Sequence, residues 1–223
     1  MKEQILPAVI ARRANSDDIS LLARVDYEAS IPPFRRSIWD ELLEPVHTQP
    51  LRFLEAMFRN QASRWGEVED FLILERDGVA AAASAVFSPG SGESAQHPHS
   101  LERLPAVAEA LRWTSEQQER FANKYVAMWA GDDSFLAPQA EMIIEAVAVL
   151  PGHRGQGLGA ALMEAAFDEA RRQGARSLGV MVIHGNTAAQ RLYERFFEPY
   201  ATFYPAFFQD EFPGITKYRA ALH

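Results

Sequence analysis

The chain contains no cysteine in 223 residues. Disulfides, thiolate metal sites and an acyl-cysteine intermediate are therefore excluded. It has no apolar run long enough to span a bilayer. No signal-peptide core follows Met1-Lys2-Glu3-Gln4, so a cytoplasmic protein is expected, with no membrane partner. Positive charge is in deficit: Lys plus Arg is 22 and Asp plus Glu is 30, a net charge of −8. That balance argues against nucleic acid as a partner and is compatible with a cationic substrate. There is no internal repeat or low-complexity tract. His97 and His99 have no convincing metal partners in the sequence, so no metal is expected. What is present is 48% apolar and 23% charged residues. This is an ordinary globular composition, in a chain long enough for one sizeable core.

The periodicities give a succession of elements. Residues 8–13 read as a first strand. Asn15 or Ser16 can cap a helix that turns Ile19, Leu22, Val25 and Ala29 inward, and Pro32-Pro33 ends it. Further helices are expected over 37–44 and after Pro50. Residues 71–75 and 79–87, joined at Asp77-Gly78, read as a hairpin. The segment 88–138 holds a Gly/Ser/Pro loop and two helices, 101–113 and 115–130, the second opened by a capping box Ser115-x-x-Gln118. A strand over 141–150, a helix over 157–172 stopped by Gly174, and a strand over 177–183 follow. The chain then gives a helix from Asn186 or Thr187 to about Phe197, with a box Thr187-x-x-Gln190, and one or two closing strands.

The most informative stretch is Glu-Met-Ile-Ile-Glu-Ala-Val-Ala-Val-Leu-Pro-Gly-His-Arg-Gly-Gln-Gly-Leu-Gly, residues 141–159. A strand here delivers a glycine loop onto a helix N-terminus, which is the build of a phosphate site. A dinucleotide fingerprint is met on paper by Gly155-x-Gly157-x-x-Ala160. Pro151 to Arg154 separate it from the strand, however, and Ala175, Arg176 and Ser177 stand where a ribose-binding acid belongs. A nucleotide P-loop needs Lys after its last glycine, and Leu158 is there instead.

The pattern that fits is Arg154-x-x-Gly157-x-Gly159, preceded by Val149-x-Pro151. It resembles the acetyl-CoA-binding motif of the Gcn5-related N-acetyltransferase (GNAT) superfamily. A second match, Asn186-x-x-Ala189-x-x-x-Tyr193, extends the resemblance from Glu141 to about Tyr193, roughly a quarter of the chain. The sequence departs from the family after Tyr193, where Glu194-Arg195-Phe196-Phe197 lacks the usual glycine.

The resemblance implies an α/β (α+β) fold: one acetyltransferase domain over 1–223. Its sheet would be mixed and mostly antiparallel, with splayed fourth and fifth strands flanked by helices. Residues 141–198 would form the acetyl-CoA-binding core, and 88–138 a helical insertion between strands three and four. It also implies acetyl-CoA as cosubstrate and a small-molecule or peptide amine as acceptor; a homodimer is left open.

The resemblance further assigns roles. Arg154, Gly155, Gln156, Gly157, Leu158, Gly159 and Ala160 would hold the pyrophosphate. The backbone of Val147 and Val149 would pair with the pantetheine arm, and Asn186 would bond to it. Glu145 would be the base and Tyr193 the proton donor to the leaving thiolate. From the residues alone, Glu145 lies on an apolar strand face with Glu141, Ile143, Val147 and Val149, where an acid needs a partner or a task. Glu141 and His184 are alternative bases, and Tyr193 also reads as a core aromatic. The acceptor side is expected among 27–39, the inserted helices and 200–212. A non-catalytic acyl-CoA-binding module is the competing reading, and a nucleotide oxidoreductase the third.

Overall fold

The computed structural model describes residues 9–90, 97–129, 134–205 and 212–223. Its strands are β1 (Val9–Arg13), β2 (Phe71–Arg76), β3 (Val79–Phe87), β4 (Met142–Val149), β5 (Ser177–Ile183), β6 (Glu198–Phe203) and β7 (Ile215–Ala221). Its helices are α1 (Ile19–Ala29), α2 (Ile38–Leu43), α3 (Pro50–Arg59), α4 (Leu104–Leu111), α5 (Ser115–Trp129), α6 (Leu158–Arg172) and α7 (Thr187–Tyr193). The strands make one sheet in the order β1-β2-β3-β4-β5-β7-β6. Every neighbouring pair is antiparallel except β4 and β5. The expected mixed, mostly antiparallel sheet is present, with α4 and α5 between its third and fourth strands.

Both faces are covered, which is why β2, β4 and β5 are apolar on both sides. One face packs on α1, α3 and the aromatics of α5, with Trp39, Phe53, Phe121 and Tyr125 buried together. The other face takes the stripe Leu158, Leu162, Met163 and Ala166 of α6 and Tyr193 of α7. Each fully buried Leu there contributes about 1.5–3 kcal/mol. Among the described residues no helix is long and apolar enough to cross a membrane.

Short polar side chains fix the helix starts. Asn15 accepts from the Asp17 N–H, and Asp18 reaches back to Asn15, so a turn of 3-10 helix leads into α1. The box before α5 falls one residue earlier than expected. Thr114 Oγ1 accepts from the Gln117 N–H (3.2 Å), and Gln117 Oε1 accepts from the Thr114 N–H (3.0 Å). At α7, Asn186 and not Thr187 is the cap, its Oδ1 accepting from the Ala189 N–H at 3.2 Å. Residue 8, where the first strand was expected to begin, lies outside the described residues.

Two irregularities of β4 shape everything that follows. Ala85 pairs with Glu145 and Ala83 with Ala148, so Ala146 and Val147 together oppose Ser84. Ala146 sits at φ +51°. This is a β-bulge, and it reverses the alternation of faces along the strand. Ile143 and Ala148 therefore join the α1/α3 core, whereas Val147 and Val149 join the α6 core. The single face expected for Glu141 through Val149 is corrected accordingly: Glu145 looks one way, and Val147 and Val149 the other.

The second irregularity is the opening between β4 and β5. Their pairing is limited to Met142–Leu178, Ile143–Gly179 and Ile144–Val180. β5 continues in register with β7 as far as Ile183–Ile215. From Glu145 onward, the edge of β4 that faces β5 has no strand beside it.

Candidate active site

The opening widens into a cavity of about 550 Å³. Its lining includes Val147, Val149, Arg154, Gly155, Gly157, Leu158 and Gly159 from β4, the following loop and α6. Asn186 and Tyr193 line it from α7, and Glu145 also reaches it. Two of the expected site residues, Gln156 and Ala160, are not in the lining. The Gln156 side chain bonds to Arg76 and to the Gly152 carbonyl.

The loop geometry follows from its glycines. Gly157 is the N-cap of α6 at φ +80°, and a Cβ there would meet nothing within 4 Å. Backbone conformation, not crowding, therefore demands glycine at this position. Gly159 has the opposite reason: a Cβ would stand 3.1 Å from Leu192 Cδ2, so its bareness lets α7 close on α6. The N–H groups of Ala160 and Ala161 bond back to the Gly157 carbonyl at 3.0 and 3.2 Å. The leading amides of the helix, those of Leu158 and Gly159, are left to point out of its positive end. Beside them, Arg154 donates from Nε to the Val149 carbonyl (2.9 Å) and from its terminal nitrogen to Glu28 (3.0 Å).

Glu145 and Tyr193 both line the cavity. The Glu145 carboxyl group has no hydrogen-bond partner among the described residues. Burial pushes its pKa up to about 8; the Lys217 ammonium opposes that rise and the Asp26 carboxylate adds to it. Tyr193 is 4% exposed, and its hydroxyl likewise has no partner among the described residues. Burial, with the charge of Glu145, lifts its pKa well above the ordinary phenol value. It therefore stays protonated across the physiological range.

The alternative bases lie elsewhere. Glu141 is 40% exposed and tied to Arg176, which draws its carboxyl below the ordinary range. His184 is held by the Thr216 hydroxyl at 2.9 Å and the Pro213 carbonyl at 3.1 Å. Neither lines the cavity.

Two charged residues at the site escaped the reading of the sequence. Asp26 of α1 lines the cavity, accepts from Trp39 Nε1 at 2.7 Å, and is pushed up to about 6 by burial, against that bond. Its signal was an acid at helical spacing from Leu22 and next to Val25, on the inward stripe. Lys217 of β7 is 2% exposed. Its signal was a lysine alternating with Ile215 on a buried strand. The wall on this side also carries the aromatic residues Phe34, Trp65, Trp129, Phe135 and Phe212. Among the described residues no group of three His, Asp or Glu could hold a metal ion.

A sheet that opens at its one parallel step, with a glycine loop and a free helix end at the mouth, suits a long ligand carrying phosphate at one end. The chain matches the profile of the acetyltransferase (GNAT) family over residues 32–197, and it belongs to that family. It is 35% identical over 88 residues to a streptothricin acetyltransferase of Streptomyces lavendulae. That match takes in 36% of this chain and spans about half, 47%, of the relative's length.

Solved structures share the fold. An N-acetyltransferase from Staphylococcus aureus Mu50 superposes with a TM-score of 0.60 at 15% identity, covering 95% of this chain and 100% of that one. The yncA protein of Salmonella typhimurium, solved with its cofactor acetyl-CoA, gives 0.53 at 18% identity, covering 97% and 95%.

Proposed function

We propose that the protein is an acetyl-CoA-dependent N-acetyltransferase in which a primary amine attacks the thioester directly. The observation that carries this reading is the convergence of Glu145 and Tyr193 on one cavity that opens beside the glycine loop. Three features fit the cosubstrate: the unpaired edge of β4, the left-handed glycines, and the leading amides of α6. Bound acetyl-CoA supplies an activated acyl carbon. The remaining chemistry belongs to the chain.

The amides of Leu158 and Gly159 and the guanidinium of Arg154 hold the pyrophosphate. Gly155, Gln156 and Ala160 contribute through the shape of the loop. The backbone of Val147 and Val149 takes the amide arm as an added strand, and Asn186 bonds to the same arm. Glu145 removes a proton from the amine, directly or through water; an acceptor with a pKa near 8 suits that task. Tyr193, held protonated, donates to the departing sulfur. Asp26 and the aromatic wall receive a cationic acceptor, by charge and by cation–π contact. The net charge of −8 favours the approach of such a molecule.

The likeness to streptothricin acetyltransferase makes streptothricin the first acceptor to try. The test is calorimetric titration with acetyl-CoA followed by an acceptor screen read as free-thiol release. The expected result is saturable one-to-one binding and turnover with a cationic amine. Absence of acetyl-CoA binding sinks the proposal; binding without turnover of any amine returns the site to an acyl-CoA-binding module.

A further inference from the structure

Behind Glu145, away from the glycine loop, lies a second and much smaller chamber of about 30 Å³. Glu145, Trp65, Leu136 and Met181 line both spaces, so the carboxyl group sits in their common wall. Ile143, Gln139, Arg64 and Lys217 also line it, with Phe87, Pro89 and Pro138. It carries polar groups in its wall and is large enough for one water.

The Lys217 Nζ is fixed there. It donates to the Ala137 carbonyl and lies 5.6 Å from the centre of the Phe203 ring. Gln139 bonds to the Val180 and Tyr218 carbonyls at 3.1 and 3.2 Å, pinning β5 to β7 at the level of Lys217. Lys217 and Glu145 make no direct ion pair, yet each acts on the other's charge across this gap. A buried lysine left without a carboxylate in contact is costly.

We infer that Lys217 is a positioning residue for acetyl transfer: through a water in the small chamber it places a positive charge behind Glu145 and keeps that carboxyl group ready to accept the proton of the amine. The inference rests on the assignment of Glu145 as base. The other titratable or charged groups around Glu145 are Asp26 from α1, Tyr193 from α7, and Arg64 across the chamber. Asp26 opposes ionisation of Glu145, and Lys217 opposes Asp26. Without the ammonium, the carboxyl would hold its proton to still higher pH, and the fraction ionised at neutrality would fall further. The lysine touches no reacting atom; its effect is on the fraction of Glu145 in the working form.

The test is the pH profile of kcat/KM for Lys217→Met, Lys217→Gln and Lys217→Arg with intact protein. Lys217→Gln retains a donor to the Ala137 carbonyl and serves if Lys217→Met does not fold. The neutral variants should move the rising limb upward by about one pH unit or more, equivalent to about a tenfold loss at its foot. Their activity should rejoin the parent at high pH, with acetyl-CoA affinity unchanged. Lys217→Arg should keep the limb near its original place. A limb that does not move, or a loss by the same factor at every pH, overturns the inference. Glu145→Gln is the control that separates the two ideas. If it leaves the limb intact, the base assignment fails. If it abolishes the limb while the Lys217 variants do not shift it, only the role of Lys217 fails.

Discussion

Glu145 and Val147 are two residues apart on one strand and face opposite sides of the sheet, because Ala146 between them stands at φ +51° and bulges. The bulge gives β4 two separate tasks. Its acid turns toward Asp26 and the aromatic wall, and two residues later its backbone faces the glycine loop. Strict alternation would have put Glu145, Val147 and Val149 on one face.

That conformation is testable by substitution at Ala146. A left-handed φ costs an L-residue about 1–2 kcal/mol, and glycine nothing. Ala146→Gly should leave stability unchanged or raise it by about 1 kcal/mol, with activity retained. Ala146→Val, β-branched at positive φ, should lose about 2 kcal/mol or more and most of the activity. Urea unfolding and thiol release measure both.

Asp26→Asn should trade function for stability. The folded-state pKa of Asp26 is raised from 3.8 to about 6. Its contribution to stability is therefore fully present below about pH 3.8 and is lost as pH rises through about 6. Asparagine keeps the acceptor for Trp39 and removes the buried charge. The variant should be more stable than the parent by up to about 3 kcal/mol at pH 7–8, with the gain vanishing by about pH 4. Its KM for a cationic acceptor should rise at the same time. Melting curves across pH, paired with acceptor kinetics, check both halves.

Tyr193→Phe keeps the ring against Tyr218 and Phe197, at centroid distances of 6.2 and 6.4 Å, and deletes only the hydroxyl. The expected outcome is a fall in kcat of about 100-fold or more, as for loss of a general acid, with acetyl-CoA affinity changed by less than about threefold. Unchanged turnover would return Tyr193 to the core.

Arg154→Ala tests the mouth of the site. The side chain is 59% exposed and its ion pair with Glu28 is a surface one, so stability should change by less than about 1 kcal/mol. Acetyl-CoA affinity should fall about tenfold, and more steeply at low salt, where the lost charge counts most. Calorimetry at two ionic strengths reads both effects.

The sequence made the geometry of the half from β4 to α7 readable because its signals are local. A glycine must stand where φ is positive, and an Asn or Thr must open a helix. Glu145 was legible as an acid on an apolar strand. The face it shares was not, since nothing in Glu-Ala-Val-Ala-Val announces a bulge; the extra residue is set by pairing with Ser84 on a strand some sixty residues earlier. Asp26 and Lys217 were missed for a related reason. Each is one charge on an otherwise apolar element, and its meaning appears only when α1, β4 and β7 come together. The cap at Thr114 rather than Ser115 was a choice between adjacent hydroxyls that only the chain's path decides.

Among the described residues, the three rungs that join β4 to β5 are also all the strand pairing that joins the β1–β4 half of the sheet to the β5–β7–β6 half. That short seam lies beside the candidate active site. A ligand laid along the free edge of β4 would add a stitch across that seam, and by mass action the occupied protein would be the more stable one.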